Sequence, residues 1–427
     1  MIARLLDLRE RRERLEPRHL EIDPHVSATV REIVQRVRDE GDDALLDLAL
    51  RFDGADLGRR GLVVSPDELA RAADAVPVAL RDAIDDLVDR VAELHRRQLP
   101  REWQEERDGV RAGERVRAVR AAGCYVPGGR AVYPSSAAMT VTPAAVAGVE
   151  EIVVCTPPSA DGSIHPEVLY AAARAGATRI VRTGGAQAIA ALAFGTDSVP
   201  AVDVVVGPGN AYVTEAKRQL AGTIGIDGLA GPTELVLVAD GSADARLIAL
   251  DLIAQAEHDP EALATLVLLG DVDLDAIETA LEREIATAER RDVIDAAMER
   301  ARTVRAADVE EAVKIVDGLA PEHLQIVTRD ARAFAAKVRN AGAIFVGPAT
   351  AVPFGDYGVA SNHVLPTAGT ARFASGLRAS HFVKVMSVVE ISPEAVGRLA
   401  PGVSAIARSE GLIGHARTVE VRAEDGR

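Results

Sequence analysis

From about residue 120 onward, short runs rich in Val and Ile alternate with Ala-rich stretches of helical character. Strands that alternate in this way with helices are typical of βαβ units, in which helices cover a parallel sheet. Aromatic residues make up only 3% of the chain, so Ala, Val, Leu and Ile must build the core. This composition suits helices packed on buried parallel strands. The pattern therefore predicts an α/β protein.

The predicted strands fall into two successive series. The first series comprises Gly123–Val126, Glu151–Cys155, Arg179–Arg182 and Val202–Val206. The second series comprises Leu235–Val238, Leu263–Leu269, Leu324–Val327 and Ala343–Val346. The chain has 427 residues, which is more than a single hydrophobic core usually supports, so two α/β domains are expected.

The domain organisation follows from these series. We expect a first α/β domain at 111–232 and a second at 233–375. A mainly helical segment, 1–110, precedes them. A C-terminal segment, 376–427, follows them and returns to helix from about residue 393.

Composition and charge exclude several classes of protein. The formal net charge is −16, whereas a nucleic-acid-binding protein needs a basic surface, so we expect no nucleic-acid partner. No apolar run is long enough to suggest a membrane span. The two cysteines, Cys124 and Cys155, lie in apolar stretches and are expected to be buried, reduced thiols. These features predict a cytoplasmic protein that acts on a small molecule.

Two candidate sites combine polar side chains with a helix end or a long loop. Gln255 and His258 are three residues apart at the end of a predicted helix, so they should share a face and could form half of a metal site. Asp356 and His363 lie in an irregular, Gly-rich segment of the kind that is often functional. Structural roles remain open for both pairs: His258 could be an ordinary surface histidine, and Asp356 could be a turn-forming residue.

Two further pairs join a carboxylate to an imidazole. Glu322 and His323 stand at the head of a predicted strand, where both can border one cleft and move protons near neutral pH. A capping Glu beside an ordinary His is the alternative. Glu410 and His415 lie in the C-terminal helical segment, where a charged helix face is the simpler interpretation.

Two glycine-rich turns follow strands of the first series and open helices. They are Gly184–Gln187 and Gly207–Asn210. Free amides at a helix N-terminus attract phosphate groups, so a nucleotide is a reasonable ligand. Neither turn is a dinucleotide fingerprint, because Tyr212 stands where the third glycine should fall.

Several long motifs, taken in series, resemble the histidinol dehydrogenase family. They run from about Gly123 to His415 and read CYVPGG, GGAQAIAALAFGT, GPGNAYVTEAKR, GPTELVLVAD, QAEHD, PEHL and GDYGVASNHVLPT, with His415 last. The N-terminal helices carry little of this resemblance. It implies two Rossmann-like parallel-sheet domains with helical N-terminal and C-terminal segments.

The resemblance also implies roles for individual residues. The expected zinc ligands are Gln255, His258, Asp356 and His415. The expected acid–base pair is Glu322 and His323. The expected substrate contacts are Thr233, Gln255, His258, His323, Asp356, His363, Glu410 and His415. The expected NAD contacts are Tyr125, Gln187 and Asn210. Thr233 stands where many members have Ser, and it keeps the hydroxyl.

The implied reaction is an NAD-dependent, four-electron oxidation of L-histidinol through L-histidinal to L-histidine, with one zinc ion per subunit. His323 would accept the hydroxyl proton, and Glu322 would activate water for the second oxidation. The resemblance further implies an intertwined homodimer with shared active sites, in which the exchanged C-terminal segment brings His415 to the partner's zinc.

Two alternatives keep the same scaffold. A paralogue could oxidise another polar alcohol, but Glu410 and His363 are both present where the family holds its substrate. A catalytically silent binding protein should lack some member of the acid–base or metal set. None is missing.

Overall fold

The computed structural model describes residues 6–7, 15–128, 132–357, 359 and 361–425. The chain forms two compact units. One contains residues up to Gln98 together with 120–382, and the other contains 99–119 together with 383–427. The α/β prediction is confirmed, and the larger unit holds two parallel sheets. Among the described residues, no helix combines the length and the apolar character needed to span a membrane.

After a short first strand, four helices precede three strands, helices and strands then mostly alternate, and two helices end the described chain. The helices are α1 (Pro24–Glu40), α2 (Asp42–Asp53), α3 (Pro66–Ala75), α4 (Val78–Arg97), α5 (Pro134–Ala147), α6 (Pro166–Ala175), α7 (Gly185–Phe194), α8 (Ala211–Leu220), α9 (Ala245–Ala256), α10 (Leu274–Ile285), α11 (Arg291–Met298), α12 (Val309–Leu319), α13 (Ala331–Ala335), α14 (Val352–Tyr357), α15 (Pro393–Ser409) and α16 (Ile413–Asp425). The strands are β1 (Leu6–Asp7), β2 (Trp103–Arg107), β3 (Val110–Ala118), β4 (Ala121–Tyr125), β5 (Glu151–Thr156), β6 (Arg179–Arg182), β7 (Val204–Val206), β8 (Gly225–Ile226), β9 (Glu234–Asp240), β10 (Leu263–Leu269), β11 (Arg302–Ala306), β12 (His323–Val327), β13 (Ala343–Val346) and β14 (Val383–Ile391).

The first parallel sheet has the strand order β6-β5-β4-β7-β8. The chain therefore reverses its direction across the sheet between β4 and β7, which is where open α/β sheets usually bind ligands at their carboxyl edge. The N-terminal helices complete this half, because Val30 of α1 and Leu45 of α2 share one buried apolar cluster with Ile189 of α7.

The second parallel sheet has the order β1-β11-β10-β9-β12-β13. Its central strand, β9, is apolar on both faces. Leu235 and Leu237 pack in one cluster with Leu252 of α9, and Val236 packs in another with Val316 of α12. Such continuous burial explains why β9 could be predicted from its apolar run. The sheet also contains β1 and β11, which the sequence analysis did not predict.

The smaller unit contains the antiparallel sheet β14-β3-β2 and the helices α15 and α16. The expected return to helix near residue 393 is correct. Within the described part of the expected mainly helical segment 1–110, helices α1 to α4 run from Pro24 to Arg97, whereas Leu6–Asp7 and Trp103–Arg107 are strands. Strand Trp103–Arg107 is exposed along its whole length, so it carries no apolar pattern that could have identified it. The predicted first α/β domain, 111–232, includes residues 111–119, which belong to the smaller unit, and the boundary between the two α/β domains stays a prediction.

A buried polar contact joins α9 to β12. Asp251 Oδ2 accepts a hydrogen bond of 2.6 Å from Gln325 Nε2. Gln325 is fully buried, and its Oε1 has no hydrogen-bond partner among the described residues. Burial raises the pKa of Asp251 to about 6, although the bond from Gln325 opposes the shift. The folded state therefore favours the protonated carboxyl.

Asp251→Asn is expected to stabilise the protein above neutral pH. Because its folded-state pKa lies above the ordinary value of 3.8, Asp251 makes stability fall as pH rises from about 4 to about 6. The amide removes this loss and can donate to Gln325 Oε1, so we expect a gain of about 1 kcal/mol at pH 8 and a smaller gain at pH 5. Thermal unfolding at both pH values checks this, and a lower midpoint at pH 8 would contradict it.

Candidate active site

The predicted acid–base pair lies at the amino edge of the second sheet. Strands β9 and β12 are neighbours, and His323 is in register with Leu235. Glu322 directly precedes β12, and its Oε2 accepts hydrogen bonds from Thr233 Oγ1 (2.6 Å) and Glu234 N (2.9 Å). The ends of two adjacent strands thus hold one carboxyl oxygen in place.

His323 is oriented as a proton acceptor. Its Nδ1 lies 3.3 Å from the Glu234 carbonyl oxygen and 3.5 Å from Glu322 Oε2. A carbonyl can only accept, so Nδ1 carries the proton and Nε2 keeps a free lone pair. Nε2 is buried and has no hydrogen-bond partner among the described residues. Burial lowers the pKa of His323, which favours the neutral, basic ring.

Glu322 is tuned towards neutral pH. Burial raises its pKa to about 7, against the opposing effect of the hydrogen bonds from Thr233 and Glu234. A carboxyl with a pKa near the working pH can both accept and return a proton efficiently. The pair therefore combines an unpartnered imidazole nitrogen with a carboxyl suited to water activation.

Gln255 is linked directly to this pair. It is buried near the end of α9, and its Nε2 donates to Thr233 Oγ1 at 2.9 Å. Since Thr233 donates in turn to Glu322, the amide oxygen of Gln255 remains as an acceptor for a ligand. His258 lies two residues beyond Ala256, so the expected placement of both residues within one helix is not met in full.

His258, Asp356 and His363 approach the same pair. His258 is exposed at the residue level, and the surrounding protein, then the neighbouring His323, lowers the pKa of its ring. Burial raises the pKa of Asp356 to about 6, while His323 lowers it and Glu322 raises it. Burial lowers the pKa of His363 to about 4, with smaller effects from Asp356, His323 and His258. These mutual influences place the five side chains in one cluster.

Asp356 differs in its local setting from the sequence expectation. It lies in the short helix α14 rather than in irregular chain, and it is 7% exposed. His363 follows in the irregular stretch, where Asn362 fixes the backbone by donating to Met139 O at 2.8 Å. Ser136 Oγ lies 3.4 Å from His363 Nε2, a contact that the sequence analysis missed.

The side chains Gln255, His258 and Asp356 fit a zinc site in their chemistry. An amide oxygen, an imidazole and a carboxylate are ligands that zinc accepts. Their protonation states also suit a metal, because the lowered pKa of His258 keeps its lone pair available. No three His, Cys, Asp or Glu side chains of the described residues form a metal-binding group. Of the four expected ligands, His258 and Asp356 of the larger unit and His415 of the smaller unit are of those types, and the zinc site stays a prediction.

Glu410 and His415 lie in the smaller unit. Glu410 follows the end of α15, His415 lies in α16, and both are exposed. Their expected roles at the zinc and substrate stay predictions.

The predicted cofactor residues line one large cavity at the carboxyl edge of the first sheet. It has a volume of about 1000 Å³, in the range of small-molecule and cofactor sites, and its walls include Tyr125, Gln187 and Asn210. Tyr125 ends β4, and its hydroxyl accepts from Gly185 N at 3.1 Å. Asn210 follows β7 and caps α8 by accepting from Tyr212 N and Val213 N. The cavity thus opens where the strand order reverses.

The cavity and the acid–base cluster adjoin. Ser136, in the first turn of α5, lies 3.4 Å from His363 Nε2, and Tyr133 directly precedes α5. Tyr133 itself lines the cavity. A cofactor in the cavity can therefore lie beside a substrate held at the cluster.

Comparison with known proteins gives one consistent result. Residues 16–423 match the family model described as histidinol dehydrogenase. The histidinol dehydrogenase of Mesorhizobium japonicum is 46% identical over 404 residues, which is 94% of each chain. That of a Synechococcus species is 46% identical over 401 residues, 93% of this chain and 92% of the relative. The crystal structure of the Elizabethkingia anophelis enzyme superposes with a TM-score of 0.92 at 31% identity and covers 96% of this chain and 94% of its own.

Proposed function

The chain belongs to the histidinol dehydrogenase family, and we propose that its residues Glu322 and His323 catalyse both oxidations that convert L-histidinol through L-histidinal to L-histidine. Family membership makes NAD-dependent oxidation of histidinol in histidine biosynthesis the activity of the protein, with zinc as its metal. The proposal adds the residues and the order of the steps.

One observation carries the proposal, the buried and unpartnered Nε2 of His323 beside Glu322. In the first oxidation His323 Nε2 accepts the hydroxyl proton of the alcohol as hydride leaves the same carbon. The Glu234 carbonyl stabilises the imidazolium that forms, because it accepts from Nδ1–H. When bound, the nicotinamide of NAD supplies the hydride acceptor for both oxidations.

In the second oxidation Glu322 removes a proton from the water that attacks the aldehyde. Its pKa near 7 supports this role, and the hydrogen bonds from Thr233 and Glu234 hold the accepting carboxyl. The anionic tetrahedral adduct that results then gives up the second hydride of the overall reaction. His323 takes the remaining hydroxyl proton, and the carboxylate forms.

Gln255, His258 and Asp356 would hold the zinc, together with His415 of the partner subunit. Bound zinc supplies a Lewis-acidic centre that orients the substrate through its nitrogen atoms. Glu410 and His363 would contact the substrate, and Tyr125, Gln187 and Asn210 would contact NAD. A cytoplasmic location is part of the proposal, and the two free, buried cysteines support it because reduced thiols are typical of that compartment.

A panel of amino alcohols tests the substrate. With NAD and zinc present, we expect L-histidinol to exceed amino alcohols without an imidazole ring by at least about a hundredfold in kcat/KM, because a lost polar contact leaves buried groups unpaired. Comparable values across the panel would instead favour a paralogue with another substrate.

Shared active sites in a homodimer lead to a separate prediction. His258→Asn and His415→Asn should each be inactive alone, but co-refolded mixtures should recover about a quarter of wild-type activity. Half of the dimers are then hybrids, and each hybrid has one intact site. If verified hybrids stay inactive, the two histidines do not meet across subunits.

A further inference from the structure

An acidic side chain that lines the cofactor cavity has one carboxyl oxygen without a hydrogen-bond partner among the described residues. Asp53 is the last residue of α2, and Gly54 follows it in the left-handed conformation (φ 69°), which ends the helix at the cavity wall. Asp53 Oδ2 is buried and has no hydrogen-bond partner among the described residues. Its charge contributes to the raised pKa of Tyr125, after burial, so the two groups are close.

Among the described residues, the arginines that line the cavity do not pair with Asp53. Arg36 lines the cavity but pairs with Glu40 (2.9 Å) and Asp47 (2.7 Å). Arg51 also lines it, and its guanidinium lies over the ring of Phe52 at 5.2 Å. Burial alone raises the pKa of Asp53 to about 6, so the carboxyl is mainly ionised at neutral pH. A buried, unpaired carboxylate destabilises a protein unless a ligand satisfies it.

We propose that Asp53 binds a ribose of NAD by accepting hydrogen bonds from its neighbouring hydroxyl groups. A ribose diol offers two donors to one carboxylate and needs no cation. The diphosphate is excluded from this position, because its negative charge would repel the carboxylate, whereas the first turn of α7 after Gly185 offers it backbone amides. The inference rests on the proposed use of NAD and extends it to a residue outside the expected contacts.

The proposal also bears on cofactor choice. If the bound ribose is that of adenosine, a phosphate on its 2′-hydroxyl would remove a donor and place charge against Asp53. NADP would then bind more weakly than NAD. If the ribose is that of nicotinamide, the two cofactors differ in nothing that Asp53 contacts.

The test measures the Kd of NADH for the zinc-loaded protein without substrate. Binding is detected through the fluorescence of the bound dihydronicotinamide. Asp53→Asn and Asp53→Ala should each raise the Kd by about tenfold or more, as expected for hydrogen bonds to a charged group. Glu32→Gln is the matched control, since Glu32 is an exposed acid that lines the same cavity. Its Kd should stay within about twofold of wild type.

Three further measurements separate the outcomes. The melting temperature without cofactor should be equal or higher in Asp53→Asn, because the amide removes a buried charge, and this shows that the variant is folded. Titration with NADPH identifies the ribose. If the Asp53 variants prefer NADH over NADPH less strongly than the wild type does, the bound ribose is that of adenosine. If the Kd values of both cofactors rise by the same factor, it is that of nicotinamide. Kd values for NADH in both Asp53 variants that match Glu32→Gln would overturn the inference. Absence of NADH binding by the wild type would instead overturn the proposed function.

Discussion

Glu322→Gln is expected to keep the oxidation of L-histidinol to L-histidinal within about tenfold of wild type and to slow the oxidation of L-histidinal by about a thousandfold. The amide oxygen can still accept from Thr233 Oγ1 and Glu234 N, so the local geometry is kept. His323 Nε2 remains free for the first step. Only the base that activates water is lost.

The two half-reactions are measured separately, with each substrate supplied in turn and NADH followed by absorbance. Glu234→Gln is a useful comparison, because Glu234 is a second buried carboxyl at the same strand ends whose pKa is raised to about 7. Its Oε1 faces Gly369 N at 3.5 Å rather than His323, so any loss should affect both half-reactions equally. Equal survival of both half-reactions in Glu322→Gln would remove the assigned role.

His258→Asn is expected to lose zinc and activity together. Loss of a residue that hydrogen-bonds to a metal ligand typically weakens metal binding by about 10- to 100-fold. Loss of a ligand itself should weaken it more, so we expect at least about a hundredfold loss of activity. Zinc content after dialysis and the rate of histidinol oxidation are measured on the same preparation.

His381→Asn provides the matched control for that variant. His381 Nδ1 accepts from Arg378 N at 3.0 Å, and His381 is not among the expected zinc or substrate residues. Its zinc content and activity should remain near those of wild type. Full activity of a metal-free His258→Asn protein would refute the metal site.

The fold could be predicted where burial is continuous and local. Strands β5 and β9 are buried along nearly their whole length, so their apolar runs identify them. Strand β3 is polar and pairs with β14, about 270 residues away along the chain, so its apolar pattern did not identify it. It also pairs with β2 through the two-residue turn Asp108–Gly109, a hairpin signal that the sequence analysis missed.

The site could be predicted from motifs in series, but its arrangement could not. The pattern suggested each of Gln255, Glu322 and His323 as polar side chains near strand or helix ends. It gave no indication that the backbone of Glu234 binds both Glu322 and His323, because a peptide group has no residue signature. The buried, unpartnered oxygen of Asp53 is likewise a property of packing alone.

We propose that Gln255, His258, Asp356 and the partner's His415 form one zinc site. This site serves a single catalytic pair, Glu322 and His323, which completes both oxidations. The most direct test counts NADH formed per L-histidinol consumed, before and after a chelator removes the metal. We expect a ratio near two. We also expect the chelator to stop NADH formation and added zinc to restore it. A ratio of one, or a ratio of two that persists in metal-free protein, would contradict this proposal.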